Sequence, residues 1–370
     1  MTLCIRFGRA AAVAVPAIAL VMVVPLAAVP ASAAPAPVAA TVACGDTVTT
    51  STVLINDVGP CSVNDAITLS GSNITLDLNG HTVFGNEDPA VAQVGIHAFK
   101  SPGDTIENGQ VYGFATGVYL EKSTNDTVTR MTLHDNIGPL DGSGLFGEGL
   151  QIFEGGGHVV SHDLVVHNGP FAGIDSFSSS NNTFKADQVV SNNIVEMNAQ
   201  HLGPTIMQDI GVWVLNLSSA DPAGATDNTV ADNHVVGNGL DGIQVGRFTD
   251  GNRVQDNVVR ANGFGQVMGI RDGDGIADFG NSNTVQGNTS DSNAANGIRV
   301  VFSASGGVPV GGQHNTVVVN QASGNGTGRN SVGVAFDLSD TNLSPPCDAN
   351  IWLLNLYRTI SQSCVAFHVG

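Results

Sequence analysis

Two carboxylates, Glu148 and Asp175, stand in similar surroundings in this chain. Glu148 immediately precedes the tetrad Gly149-Leu150-Gln151-Ile152, and Asp175 lies inside the tetrad Gly173-Ile174-Asp175-Ser176. Two carboxyl groups held about 5–9.5 Å apart can protonate a leaving oxygen and activate water or attack directly, which is the chemistry of glycoside cleavage. The third position of the same tetrad recurs along the chain as Tyr119, Gln151, Asp175, Trp213, Gln244, Ala277, Arg299 and Ala335. Glu121, Phe153 and Phe177 follow two residues behind. Rings to stack on sugar faces, with amides and charges to bond hydroxyls, would suit a glycan laid along that row. The competing interpretation is an ordinary solvated face with scattered aromatics and two surface acids.

A second constellation is rich in aspartate. The stretch "RDGDGIAD" places Asp272, Asp274 and Asp278 at the spacing of part of a calcium loop, although Ile270 stands where the first acid belongs. Asp241 precedes Gly242 as Asp274 precedes Gly275. Two carboxylates stacked one repeat apart repel unless a proton or a cation such as calcium lies between them. A Gly-Asp turn without a metal is the alternative. His134, His158, His162 and His167 cluster in sequence, and a metal or base role is open to them.

These groups converge only if the elements carrying them stack. The segment "NTVADNHVVGNGLDGIQVGRFTDGNRVQDNVVRANG" contains itself twice, as Asn228/Asn233/Asn238 and Asn252/Asn257/Asn262. Further copies align at Asp126/Met131/Asn136, Gly157/His162/His167, Asn182/Asp187/Asn192, Asn283/Asn288/Asn293 and Asn315/Asn320/Asn325, with a worn one from Asn350 and Asn355. Between the trios the Gly-apolar-x-apolar tetrad returns. Self-similarity at this period signals a solenoid, propeller or array. Apolar residues alternate over three or four positions, as strands require, and no sustained helical period occurs. The shortest unit is too short for a four-stranded blade and suffices for three short strands with bends. The expected fold is therefore all-β, a single right-handed parallel β-helix of about nine coils over residues 44–370. Asparagines would mark the bends, where they tolerate left-handed backbone and build amide ladders. His162 and His167 would stand in for bend amides. One tetrad residue per coil, Val118, Leu150, Ile174, Val212, Ile243, Ile276, Ile298 and Val334, would line the core.

The opening "CGDTVTTSTVLINDVGPCSVNDAITLSGSNITLDLNGHTVFG" and the closing "NIWLLNLYRTISQSC" resemble the first and last coils of secreted right-handed parallel β-helix repeat proteins of actinobacterial type, within the pectin-lyase-like superfold. The resemblance covers roughly residues 44–364. It implies the fold and not an activity, because this superfold hosts lyases, hydrolases, epimerases and non-enzymes. The sequence departs from the enzyme families within it. It lacks the Asn-Thr-Asp, Asp-Asp and Gly-His-Gly motifs of polygalacturonases and the "YGFDPH"-type motif of mannuronan epimerases.

Residues 1–33 read as an export signal: Arg6 and Arg9, an apolar stretch broken by prolines, and Ala31-Ser32-Ala33. An Ala/Pro linker fills 34–43. A secreted, extracellular protein follows, free of the membrane once cleaved. Cys44, Cys61, Cys347 and Cys364 then remain; of three pairings, loop closure favours Cys44–Cys61 and Cys347–Cys364. The formal charge is −19. Such an acid surplus excludes nucleic acid as a partner and disfavours polyanions. Lys100, Lys122, Lys185 and Arg299 are the few bases open to lyase chemistry. The expected function is binding, with or without cleavage, of an extracellular polysaccharide, neutral rather than uronate, in an outer groove. Hydrolase and lyase chemistry are both open. The alternative is a non-catalytic exported or cell-surface β-helix with a structural or interaction role.

Overall fold

A computed structural model describes residues 36–366 except 87–92, 140–146, 178–188, 192–193, 197–209, 217–224, 264–272, 306–307, 327–333, 343–346 and 348–349. Residues 36–370 form one compact unit and residues 1–35 another. The latter contain the predicted signal and lie outside the described residues. The strand Val38–Ala40 pairs in parallel with Thr52–Leu54, so the body begins ahead of Cys44.

The chain winds as a parallel β-helix. Each coil contributes one strand to each of three stacks, as Ile243–Val245, Arg253–Gln255 and Val258–Arg260 do. The Gly-apolar-x-apolar tetrads form an eleven-stranded sheet running from Asp46–Val48 to Leu338–Asp340. Eleven rungs exceed the nine expected. The early strands Asp46–Val48, Asp65–Leu69 and Val94–Phe99 lie ahead of the first recognised tetrad; the first two lack its glycine, and the third carries an unrecognised copy. Short strands suffice because every backbone group finds its partner one coil away rather than along its own segment.

The inward column is Val118, Leu150, Ile174, Val212, Ile243, Ile276 and Ile298, all buried and in register. Val334 breaks the expectation. It is 81% exposed, and Leu338 pairs with Ile298 instead. The last strand starts four residues late because Asp337, not the glycine tetrad, receives the ladder from Asn325. Ser339 accordingly replaces Ala335 opposite Arg299.

The asparagines form continuous buried ladders. Asn233 donates its backbone N–H and its side-chain amide to Asn257 Oδ1 at 2.9 and 3.0 Å, and Asn257 does the same to Asn288. The series continues through Asn320 to Asn355. The left-handed backbone does not fall on these asparagines. It falls one residue earlier, at Asp232, Asp256, Gly287, Val319 and Leu354, with φ between 54° and 68°. That residue turns the corner and aims the following amide inward, where its polar atoms must be satisfied by the neighbouring coils. The coil after Val159 is shifted by one for the same reason. His158, Asp163 and Asn168 receive the N–H groups of Asp126, Met131 and Asn136. Gly157, His162 and His167 are the left-handed residues ahead of them. The trio Asn182/Asp187/Asn192 lies outside the described residues.

Asn257→Ala removes the acceptor of two Asn233 donors and a donor to Val230 O. Buried polar groups without partners cost about 1–3 kcal/mol each. A loss of at least ~3 kcal/mol is expected in denaturant unfolding, and a change under ~1 kcal/mol would contradict the ladder.

Both end pairs are disulfides. Cys44–Cys61 and Cys347–Cys364 have Cα separations of 5.5 and 6.2 Å.

Candidate functional site

The outward column of the eleven-stranded sheet runs in strict register through Tyr119, Gln151, Asp175, Trp213, Gln244, Ala277 and Arg299. Glu121, Phe153, Phe177 and Leu215 form a second column beside it. His97 precedes Tyr119 in the first column and is absent from the sequence-based candidates. Its tetrad, Gly95-Ile96-His97-Ala98, is legible as one more copy of the signature.

Glu148 and Asp175 lie close enough for each to feel the other's charge, and both are buried, at 1% and 2% exposure. They are not solvated surface acids. Glu148 enters the sheet at the strand end, where Thr116 Oγ1 donates to its Oε2 at 3.1 Å. Burial raises its pKa well above the usual carboxylate range, and the Asp175 charge adds to that. Burial likewise raises the pKa of Asp175, opposed by a hydrogen bond from the Gln151 amide. Asp175 Oδ1 has no hydrogen-bond partner among the described residues. Tyr119 stands between this pair and the outer carboxylates. Burial, followed by the charges of Glu121, Glu148, Glu154 and Asp175, raises its phenol and keeps it protonated.

Accessible groups flank the buried pair on its N-terminal side. His97 lies between Asp65 Oδ2, at 3.1 Å from Nδ1, and Glu121 Oε2, at 3.3 Å from Nε2. Its ring stacks on Tyr119 with centroids 4.9 Å apart. Lys122 Nζ bridges Glu121 and Glu154 at 3.0 and 3.6 Å and sits over Phe153. Phe99 is 41% exposed.

Trp213 departs from expectation. Its indole points outward but is buried, packed with Ala172 and Ile210 against Phe171 and Leu215. It belongs to a small apolar cluster outside the main core, so its rings do not offer a free platform. The exposed rings are nearer Tyr119.

Among the described residues, the expected calcium ligands Asp241, Asp274 and Asp278 are each held by partners within the protein. Asp241 accepts from the N–H groups of Gly273 and Asp274 and from the Gln244 amide. Asp274 accepts from Asn296 and pairs with Arg299 Nε at 2.5 Å. These acids occupy ladder positions, and their charge is met by the next coil. Asp278 points inward, in register with Val245 and Val300. Burial raises its pKa to about 7, opposed by hydrogen bonds from Asn283 and Gly280. Asp272 lies outside the described residues. Melting curves in calcium and in EDTA are expected to coincide, and a calcium-dependent rise in Tm would place a site around Asp272.

Residues 64–272 match the family described as periplasmic copper-binding protein (NosD). That stretch exceeds half of the 370-residue chain. The chain belongs to the NosD family. Among the described residues, however, no group of three or more His, Cys, Asp or Glu could hold a metal ion. The four described cysteines are consumed in disulfides. The described residues of this NosD-family chain therefore do not fit a copper centre. Among solved structures, the A-module of the Azotobacter vinelandii mannuronan C-5 epimerase AlgE4 is 14% identical, with a TM-score of 0.53 over 85% of this chain and 75% of that one. The DFA-IIIase of Arthrobacter chlorophenolicus A6 in complex with GF2 is 12% identical, with a TM-score of 0.50 over 85% and 74%. Likeness at this identity establishes the shared β-helix. No curated protein matches the sequence significantly. No helix among the described residues is long and apolar enough to cross a membrane.

Proposed function

We propose that this NosD-family β-helix is an exported carbohydrate-active protein that binds and cleaves an extracellular polysaccharide at the outer face of its eleven-stranded sheet. The observation that supports this most is the buried pair Glu148 and Asp175. Burial raises the pKa of both carboxyls and the Asp175 charge raises that of Glu148 further, so Glu148 holds a proton where Asp175 can ionise. That is the state a glycoside-cleaving pair requires. The protonated group serves as general acid to the leaving oxygen. The other acts as base or nucleophile. Gln151 orients Asp175, Thr116 orients Glu148, and Tyr119 supplies a neutral hydroxyl beside them. Phe99, 41% exposed with Lys100 over one face, offers the rest of its ring to the sugar chain at the accessible flank.

Hydrolysis fits these groups better than elimination. Lys122 is held between two glutamates, Arg299 is paired with Asp274, and Lys185 lies outside the described residues. Lys100 covers the Phe99 ring. No lysine or arginine pairs with Glu148 or Asp175 among the described residues. The acidic field of the cleft opposes a uronate chain. The likeness of the fold to that of a mannuronan C-5 epimerase lends support by analogy.

The experiment is a screen of the purified exported protein against neutral, cationic and uronate polysaccharides. New reducing ends without an unsaturated chromophore are expected. Unsaturated products would move the assignment to a lyase, and no release from any polymer would leave the non-catalytic β-helix standing.

A further inference from the structure

The outer face around the buried pair carries a charge imbalance that a neutral sugar would not relieve. Glu148 and Asp175 are buried together with no basic side chain paired to either among the described residues. Asp175 Oδ1 is buried and accepts no hydrogen bond from the described residues. The accessible flank adds Asp65, Glu121 and Glu154, against which Lys122 supplies one compensating charge. A buried carboxylate without a counter-charge is costly, so a cation that enters gains more there than it would at the surface. A divalent metal lacks the ligand set it needs, since no three acids, histidines or cysteines of the described residues converge. Phe99 on the flank, 41% exposed, adds a ring suited to a sugar face or an organic cation, and it already holds the Lys100 ammonium.

We infer that this face selects a glycan bearing protonated amines, a polymer of glucosamine type, with one ammonium seated against Asp175 Oδ1 and its neighbours drawn to Glu121 and Glu154. The inference rests on the outer-face site proposed above and names its substrate class. In such a polymer the amine is carried on the carbon next to the anomeric centre. A carboxyl pair placed at the scissile bond therefore also reaches the charged substituent. The formal charge of −19 steers a polycation toward the protein as a whole.

The test uses the exported protein and three oligosaccharides of equal length: deacetylated glucosamine, its N-acetylated counterpart and galacturonate. Isothermal titration is run where the sugar amine is protonated, and proton release is read from buffers of different ionisation enthalpy, because burial raises the Asp175 pKa and the entering ammonium displaces its proton. The glucosamine oligomer is expected to bind at least about ten-fold more tightly than the N-acetylated one, with the uronate weakest. Asp175→Asn keeps the side-chain shape and is expected to bring the first two within about two-fold of each other. Glu121→Gln, which frees Lys122 to repel cations, is expected to reduce the preference by several-fold and serves if Asp175→Asn fails to fold. Equal binding of acetylated and deacetylated oligomers by the wild type overturns the inference. So does a preference unchanged in whichever of the two variants fold. Cleavage of a neutral polymer without charge preference would leave the proposed function intact while removing this one. Failure of every oligomer to bind would remove both.

Discussion

Glu148→Gln and Asp175→Asn are each expected to lower turnover of the cleaved glycan by roughly 100- to 10,000-fold. Each change keeps the side-chain volume and removes one ionisable group from a buried pair. The amide oxygen introduced at position 148 could still accept from Thr116 Oγ1, whose hydroxyl donates to Glu148 in the wild type. Position 175 would keep a partner for Gln151. Structure is therefore expected to persist while proton transfer fails. The pH profile sharpens the expectation. Burial raises both pKa values, and their mutual repulsion separates them, so the wild type should show two limbs. Each variant should lose one limb. A neutral glycan is the right substrate for this comparison, since binding of a cationic chain would respond to Asp175 on its own account. Normal turnover by both variants on the same glycan would reject the pair as the catalytic acids.

Ile243→Asp is expected to cost more than about 4 kcal/mol, because it buries an unpaired charge. Ile243 is fully buried and lies between Val212 and Ile276 in the inward column. No described basic group reaches that column to compensate. In a solenoid each coil touches only its neighbours, so the damage should start in the middle and split the unfolding transition. Calorimetry should show a melting temperature lowered by roughly 8–16 °C or a second transition. Val258→Asp is the control. Val258 is 38% exposed beside the buried Val259, so an acid there should change stability by about 1 kcal/mol or less. Equal effects at the two positions would falsify the register.

The charge surplus also bears on solubility. A chain at −19 repels its own copies, which protects the terminal rungs, where Ile351, Leu354 and Leu356 are exposed. Sheet ends are the places where solenoids would otherwise pair edge to edge. The disulfide Cys347–Cys364 ties the chain just before and just after those residues.

Much of this is written locally. The repeat of asparagine trios and glycine tetrads determines a parallel β-helix, because period-two alternation over three residues allows no other buried arrangement. It also determines which residues face in or out. Ile243 and Gln244 can be assigned to opposite faces without coordinates, since adjacent side chains on a strand diverge. The two disulfides follow from loop closure alone.

Tertiary structure decided the rest. Asparagine spacing is the same whether the corner falls on the asparagine or just before it, and only the stacked coils show the left-handed turn at Asp232 or Asp256. The one-residue shift to His158, Asp163 and Asn168 has the same origin, because neighbouring coils, not local propensity, set which N–H needs an acceptor. Strand alternation already assigns Asp278 inward; what the fold adds is the pair of hydrogen bonds from Gly280 and Asn283 that hold a carboxyl there. Trp213 stands on the outer column as its tetrad requires, but outward does not mean exposed, and the apolar cluster around it joins its neighbours Ile210 and Leu215 to Phe171 and Ala172 of the preceding coil. Glu148 and Asp175 can be named from their tetrads. Their burial, which is what perturbs their protonation and makes them candidates for chemistry, depends on how the coils stack and how water is excluded from the outer face.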